Sequence, residues 1–390
     1  MDFLKVKSRL LFALAFITFS GVANASDVSW DGFGSVYYGQ AFNKGLVPFG
    51  FTNGTHADFT DFSLIGLNVH GHINDKLTFF GQLVAIGGIA QTADYNSAGN
   101  IVAGNFQPFI QFAYLNYKMG ELSIRAGRQG FPILMSGDSL RQTYGTPFRT
   151  KPTFIYNIPA LSAYDGISFN YDWDLGFGKL GAAVFGGSPV NDFPYFTGET
   201  YHPSDLVGGK VTLDGDGWRA RVQASQYGSR LQYAAPSGTT YDFSGTVRNL
   251  SLGYKFDKFN FVSWGEIAWF RTANGTNVTA DSNLSALGMV NGQYYSAYRG
   301  GYVLVGYRVG DFLPRYTYAQ TDSSDATYPG RISSHTFGVN WEVMKNATIK
   351  VEYELDEVPH NTPPFIASAY NGAPAANQGS AVYAGVDFVF

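Results

Sequence analysis

Trp218–Tyr227 reads WRARVQASQY, with Trp218, Ala220, Val222 and Ala224 on one parity and Arg219, Arg221, Gln223 and Ser225 on the other. Successive side chains of a strand point to opposite faces, so this stretch is a strand with one face for an apolar medium and one for water. A turn signal, Asp214-Gly215-Asp216-Gly217, stands directly before it. The same alternation recurs in both directions along the chain. Ala347–Leu355 sets Ile349, Val351 and Tyr353 against Thr348, Lys350, Glu352 and Glu354. Asp61–Ile73 sets Ile65, Leu67 and Val69 against Asn68, His70 and His72.

Extended over the whole chain, the pattern predicts strands at 30–40, 61–73, 77–86, 105–117, 122–128, 166–171, 179–186, 206–213, 218–227, 243–256, 259–271, 296–309, 312–320, 333–344, 347–355 and 380–390. These are sixteen segments, joined alternately by short turns and long loops. Of the 16 prolines, 14 fall in the predicted long loops, leaving Pro108 near a strand start and Pro314 inside a strand. Because proline cannot donate to a ladder, this distribution supports the loop positions independently.

Composition says what medium the apolar parity faces. The chain has 390 residues, 47 Gly, 26 Tyr, 33 Phe and only 14% charged residues. It opens with Lys5, Lys7 and Arg9 before an apolar run from Leu10 to Phe19 and then Ala23-Asn24-Ala25. This is expected to be a signal peptide, residues 1–25, cut after Ala25. The run is far below the roughly 20 residues of a spanning helix. Beyond it there is no long apolar run, so an exported chain with this much apolar surface is expected to be the other structure that satisfies every backbone group in lipid, a closed barrel. The fold class is therefore all-β: a transmembrane antiparallel β-barrel of 16 strands, occupying 26–390 as a single domain. Short turns are expected on the periplasmic side and long loops outside.

Several functions are excluded or unsupported. The absence of cysteine rules out disulfides, thiolate metal sites and covalent haem attachment. A formal net charge of −4 does not point to nucleic acid. There is no H-E-x-x-H, Walker or G-x-S-x-G motif; in Gly137-Asp138-Ser139-Leu140-Arg141, Arg141 replaces the second glycine. The chain is expected to be no enzyme and to need no cofactor. His70 and His72 share one face two residues apart, which could hold a metal, but no third ligand is near in sequence, so they are read as polar lumen positions.

One stretch breaks the rhythm. Gly130–Asp165 contains Pro132, Pro147, Pro152 and Pro159 together with Arg141, Arg149 and Lys151, and it cannot be a strand. A loop of this length in a regular barrel is expected to be functional.

The chain ends AVYAGVDFVF, alternating Val382, Ala384, Val386, Phe388 and Phe390 against Tyr383, Gly385 and Asp387. Phe388 and the terminal Phe390 look like the signal read by the outer-membrane insertion machinery. With the leader, the sixteen segments and the long loop after the fifth of them, the chain resembles the general porins of Gram-negative bacteria over essentially all of 26–390, and its GRQGFPILMSGDSL stretch is similar to that region in gammaproteobacterial members. The resemblance implies a homotrimer in the outer membrane, in contact with outer-membrane lipid. Each barrel would be water-filled and narrowed by an inward-folded third extracellular loop, here about 130–165. It would pass small hydrophilic solutes and ions by diffusion. The family's acid cluster on that loop is missing here, where the acids are only Asp138 and Asp165.

Charges at the narrowest point of a pore select ions. The candidates are Arg141, Arg149 and Lys151 on the loop, Arg125, Arg219 and Arg221 on inward parities of the wall, and Asp138 as counter-charge. As a set they favour a weak anion preference, opposed by inward Glu352 and Glu354; singly, each could instead be a solvated rim charge or a pin for the loop. Two alternatives stay open: a substrate-selective channel of the same fold, for phosphate or other small anions, and an outer-membrane enzyme or adhesin barrel.

Overall fold

The computed structural model describes residues 27–42, 59, 63–87, 94–95, 101–102, 106, 108–156, 161–191, 199–234, 240–273, 289–290, 293–294, 297–323, 330–357 and 378–390. Sixteen strands form one closed barrel. They are β1 (Asp27–Ala41), β2 (Leu64–His72), β3 (Leu77–Ile86), β4 (Pro108–Met119), β5 (Leu122–Gly130), β6 (Leu161–Asp174), β7 (Lys179–Asn191), β8 (Glu199–Gly215), β9 (Trp218–Ala234), β10 (Thr240–Lys258), β11 (Phe261–Ala273), β12 (Ala297–Tyr307), β13 (Phe312–Ser323), β14 (Gly330–Met344), β15 (Ala347–Glu357) and β16 (Gln378–Val389). Each pairs antiparallel with its sequence neighbours, and β1 closes on β16. The predicted leader and most of the predicted loops after β1 and β15 lie outside the described residues.

The parity read from the sequence is the parity of the wall. Ile65, Leu67, Val222, Leu250, Leu252, Val303, Val305 and Val351 are exposed on the outer face, while Asn68, Gln82, Gln223, Asn249, Asn340 and Glu352 are buried on the other. This inversion, with apolar side chains out and polar side chains in, is what a barrel in lipid requires.

Boundaries differ where strands leave the membrane. β6 begins at Leu161, not Gly166, so the long loop is shorter than predicted. β8 begins at Glu199, across a bulge between Ser204 and Val207, and takes in Pro203; β7 takes in Pro189. Among the described residues four prolines therefore lie in strands, Pro108, Pro189, Pro203 and Pro314, not two. Above the lipid both faces of a strand meet water, so alternation fades, and a proline beside a bulge or strand end breaks few ladder bonds.

The seam between β1 and β16 explains the two terminal aromatics. Gly32 and Phe390 exchange backbone hydrogen bonds of 2.8 and 2.9 Å. The rings of Phe388 and Phe390 lie over Gly34 and Gly32, so close that a Cβ on Gly34 would stand 2.5 Å from the Phe388 ring. Gly34→Val is expected to cost about 1–3 kcal/mol by overpacking, seen as a lowered urea midpoint with unchanged strand content. An unshifted midpoint would show that the ring is not seated there.

Candidate functional site

Residues 131–156, between β5 and β6, run along the polar parity of the wall. The stretch starts with a tight turn, Gly137–Ser139, where Gly137 comes so near Phe131 that a Cβ would stand 2.1 Å from its carbonyl oxygen. It ends in a single helical turn, Thr153–Tyr156. Its apolar side chains Phe131, Ile133, Leu134, Phe148, Ile155 and Tyr156 are buried against Tyr227, Trp264, Tyr302 and Leu304 of β9, β11 and β12. Phe148 meets Trp264 and Tyr302 edge-on, with ring centroids 5.6 and 5.5 Å apart.

Polar contacts fasten the same stretch to the wall from β9 around to β1. On β9, Arg221 donates to the carbonyls of Pro132 (2.8 Å) and Met135 (3.0 Å). On β11, Glu266 accepts from Met135 N (2.7 Å) and the Tyr156 hydroxyl (2.6 Å). On β14, Asn340 donates to Pro147 O at 3.1 Å.

Two ionic centres on β15 and β16 complete the attachment. Lys350 Nζ donates to Thr143 O and Phe148 O and pairs with Asp387 at 2.6 Å, with side chains 1% and 0% exposed. Asp387 also accepts from Ser35 Oγ, the Tyr37 hydroxyl and Thr143 Oγ1. Beside it, Glu352 accepts from Arg149 N (2.9 Å) and Arg149 Nε (3.2 Å) and pairs with Arg315 of β13. Arg149 reaches Glu354 at 3.5 Å, and its guanidinium carbon lies 3.6 Å from the Tyr383 ring centroid. These charges are buried in mutual contact, the arrangement in which ionised groups are tolerated away from water.

The loop meets the opposite half of the wall at β4, where Arg141 donates to Gln111. A cavity of about 270 Å³ lies between the loop, at Pro132, Asp138 and Gln142, and strands β3 to β8. Its charged lining is Arg125 of β5, Lys210 of β8 and Asp138 of the loop; amides Gln82, Gln129 and Asn170 and rings of Phe80, Phe112, Tyr114, Tyr164 and Phe185 fill the rest. The Arg125 guanidinium lies 5.5 Å from the Tyr114 ring centroid. Enclosure pushes the Asp138 carboxyl up, but Lys210, Arg221 and Lys255 outweigh it and hold the group below the usual carboxylate range.

The sequence-predicted residues thus fall into separate places. Arg125 and Asp138 line the cavity together. Arg141 lies beside it, with Nε 2.7 Å from Gln111 Oε1 and its guanidinium over Phe109. Arg149 and Arg221 are buried attachments of the loop. Lys151 is tied to the loop itself, donating to the carbonyls of Ser139, Leu140 and Gln142. Burial, with Lys350 and Lys255 nearby, lowers its pKa well below the ordinary lysine value. Arg219 pairs with Asp214 beside the turn into β9, away from the cavity. His70 Nε2 lies 2.9 Å from Asp31 Oδ2. Lys210, Lys255, Glu266, Arg315, Lys350 and Asp387 were missing from the candidate list, although Lys210 sits in GGKVTL on the same parity as Gly208 and Thr212.

Three solved structures carry the same architecture. OmpT of Vibrio cholerae, an outer membrane protein in its trimer form, superposes with TM-score 0.58 at 11% identity, over 93% of this chain and 99% of that one. The anion-selective porin of Comamonas acidovorans gives 0.56 at 14% identity, over 93% and 99%. The fold is that of the outer-membrane porins. OmpF of Salmonella typhi, solved with daunomycin, gives 0.57 at 15% identity, over 93% and 97%. No protein-family model matches the chain, and no curated protein matches it in sequence. The likeness to these porins is thus one of fold, at identities where side-chain roles do not transfer.

Proposed function

We propose that the protein is an outer-membrane channel through which small hydrophilic solutes and ions diffuse, with residues 131–156 folded into the lumen as its constriction. The observation that carries this reading is the asymmetry of the loop. Most of its attachments are to β9–β16 and β1, with Arg141 also bonded to Gln111 of β4, and the space left beside β3–β8 is lined by charges, amides and aromatic rings. A barrel with an apolar exterior and a polar, unfilled interior segment is built to hold water across lipid.

The passage prefers anions weakly, because Arg125 and Lys210 outnumber Asp138 among its charged lining residues. The buried acids Glu352 and Asp387 do not oppose this, since each is matched by a cation in contact. A unit charge about 4 Å from an ion contributes on the order of 1 kcal/mol in water-like dielectric, a factor of about five in occupancy. Arg125→Gln with Lys210→Gln is therefore expected to bring the anion-to-cation permeability ratio to unity or below. Reversal potentials in a salt gradient read this directly; clear cation preference in the unsubstituted protein would sink the selectivity reading.

The aromatic lining of the cavity favours a second reading, a channel selective for small organic or phosphate-like anions. It requires conductance that saturates with the solute, whereas diffusion requires conductance nearly proportional to salt. The chain further assembles as a homotrimer, as the trimer form of Vibrio cholerae OmpT supports by likeness of fold. It is exported by cleavage of residues 1–25 and recognised for insertion through Phe388 and Phe390, whose place at the closing seam suits a check on completed strands. It acts without catalysis.

A further inference from the structure

The interior of a membrane barrel is polar, yet three rings stand in a row on the lumen face of β2, β3 and β4. His70 is registered directly opposite Phe80, and Phe80 directly opposite Tyr114. Their ring centroids are 5.0 and 5.3 Å apart. Directly across from Tyr114 on β5 is Gly127, which contributes no side chain beside that ring. Phe80 and Tyr114 line the cavity beside the loop and are half-buried, so part of each ring faces the open space.

The row has a negative end and a positive end. Beyond His70, Asp31 of β1 accepts from Asn68 Nδ2 at 2.6 Å and lies 2.9 Å from His70 Nε2. At the other end the Arg125 guanidinium lies 5.5 Å from the Tyr114 ring centroid and is exposed to the lumen. Among the described residues no carboxylate makes an ion pair with Arg125. Asp138, the acid of the cavity, is drawn instead toward Lys210, Arg221 and Lys255. The charged lining of the cavity, Arg125 and Lys210 against Asp138, leaves a single surplus positive charge.

Together these features specify a ligand class. Exposed rings stack on a planar π system in offset or tilted geometry, and an exposed guanidinium takes a carboxylate through two parallel hydrogen bonds. A single surplus charge matches a monoanion. The cavity volume of about 270 Å³ lies just under the range of small-molecule sites, about 300–1,000 Å³, which suits a solute of one ring. Inorganic phosphate would leave the rings unused, and a neutral sugar would leave the guanidinium unmatched.

We propose that the lumen face of β3–β5 binds small aromatic monocarboxylates, with the ring laid on Phe80 and Tyr114 and the carboxylate on Arg125. Asp31, at the far end of the row, repels the reverse orientation. The solute class belongs to the passage proposed above, and the inference rests on that passage running between the loop and β3–β8.

The test uses the full mature chain folded in neutral detergent, with equilibrium dialysis of benzoate, cyclohexanecarboxylate and benzamide at neutral pH against a control of empty micelles. Block of potassium chloride current by the same three compounds is recorded separately in planar bilayers. Benzoate is expected to bind saturably, about five-fold more tightly than cyclohexanecarboxylate, which has the charge without the π face, and about ten-fold more tightly than benzamide, which has the ring without the charge. Arg125→Gln is expected to lower benzoate affinity about ten-fold and Arg125→Lys to recover part of the loss. Phe80→Leu with Tyr114→Leu is expected to bring benzoate down to the affinity of cyclohexanecarboxylate. Equal affinities for the three compounds in the unsubstituted protein, or full benzoate affinity in Arg125→Gln, would overturn the proposal; the first comparison needs no variant to fold. Channels that conduct chloride but are not blocked by benzoate would overturn this inference and leave the proposed function standing. Saturable, ring-dependent benzoate binding by a chain that forms no channel would do the reverse.

Discussion

Deletion of residues 143–153 is expected to raise single-channel conductance several-fold while the barrel still folds. The deletion removes Thr143, Phe148, Arg149 and Lys151, and with them most of the attachment to β15 and β16. All sixteen strands and their registers lie outside the deleted segment. Lys350 with Asp387, and Arg315 with Glu352, remain as pairs, and Glu354, which loses Arg149, gains water in the widened lumen. Conductance scales with open cross-section, and the loop covers the half of the wall from β9 to β1. Planar-bilayer recording of the folded variant measures the change. Unchanged conductance would place the segment outside the conducting path.

The second large effect is expected from Glu352→Ala. Its carboxylate serves two guanidinium groups, Arg149 and Arg315, both within hydrogen-bond reach and 3% and 1% exposed. Removing one member of a buried ionic cluster costs about 3–5 kcal/mol, because the remaining charges lose their compensation. Arg149 can escape the penalty by taking the loop with it, whereas Arg315 is fixed on β13. The expected result is therefore a loop released before the barrel melts: tryptic cleavage at Arg141 or Arg149 on the folded protein, together with noisier open-channel current. Following Glu352→Ala with Arg149→Met and Arg315→Met should restore much of the protection by removing the stranded charges. A singly substituted protein that resists trypsin like the parent would show that this centre does not hold the loop.

The fold was legible because the lipid and the lumen impose opposite demands on alternate residues. Trp218–Tyr227 and Ala347–Leu355 carry that alternation without interruption, and β3 runs over Leu77–Ile86 as predicted. Where the demand lapses, legibility lapses: Glu199–Asp205 lies beyond the apolar band, so its ETYHPSD composition reads as loop although it is paired with β9. The site was legible only in part. Inward parity identified Arg125 and Arg221 as candidates and put Lys350, Glu352 and Asp387 on the polar parity without assigning them to the site, but parity cannot say which half of the wall the loop covers. That depends on contacts across more than 200 residues, such as Arg149 with Glu352 and Thr143 with Asp387. Basic residues in the loop therefore suggested pore charges, whereas Arg149 and Lys151 are spent on partners and only Asp138, with Arg125 and Lys210 of the wall, faces the cavity.

The absence of cysteine offers a direct measurement of where the passage runs. Asn170→Cys places a thiol in the lining of the cavity on β6, and Thr317→Cys places one on the half of the wall that the loop covers, at a position 4% exposed. A water-soluble, charged thiol reagent added to open channels in a planar bilayer is predicted to reduce the current through Asn170→Cys and to leave Thr317→Cys unaffected. Current lost through Thr317→Cys and retained through Asn170→Cys would contradict a channel between residues 131–156 and strands β3–β8.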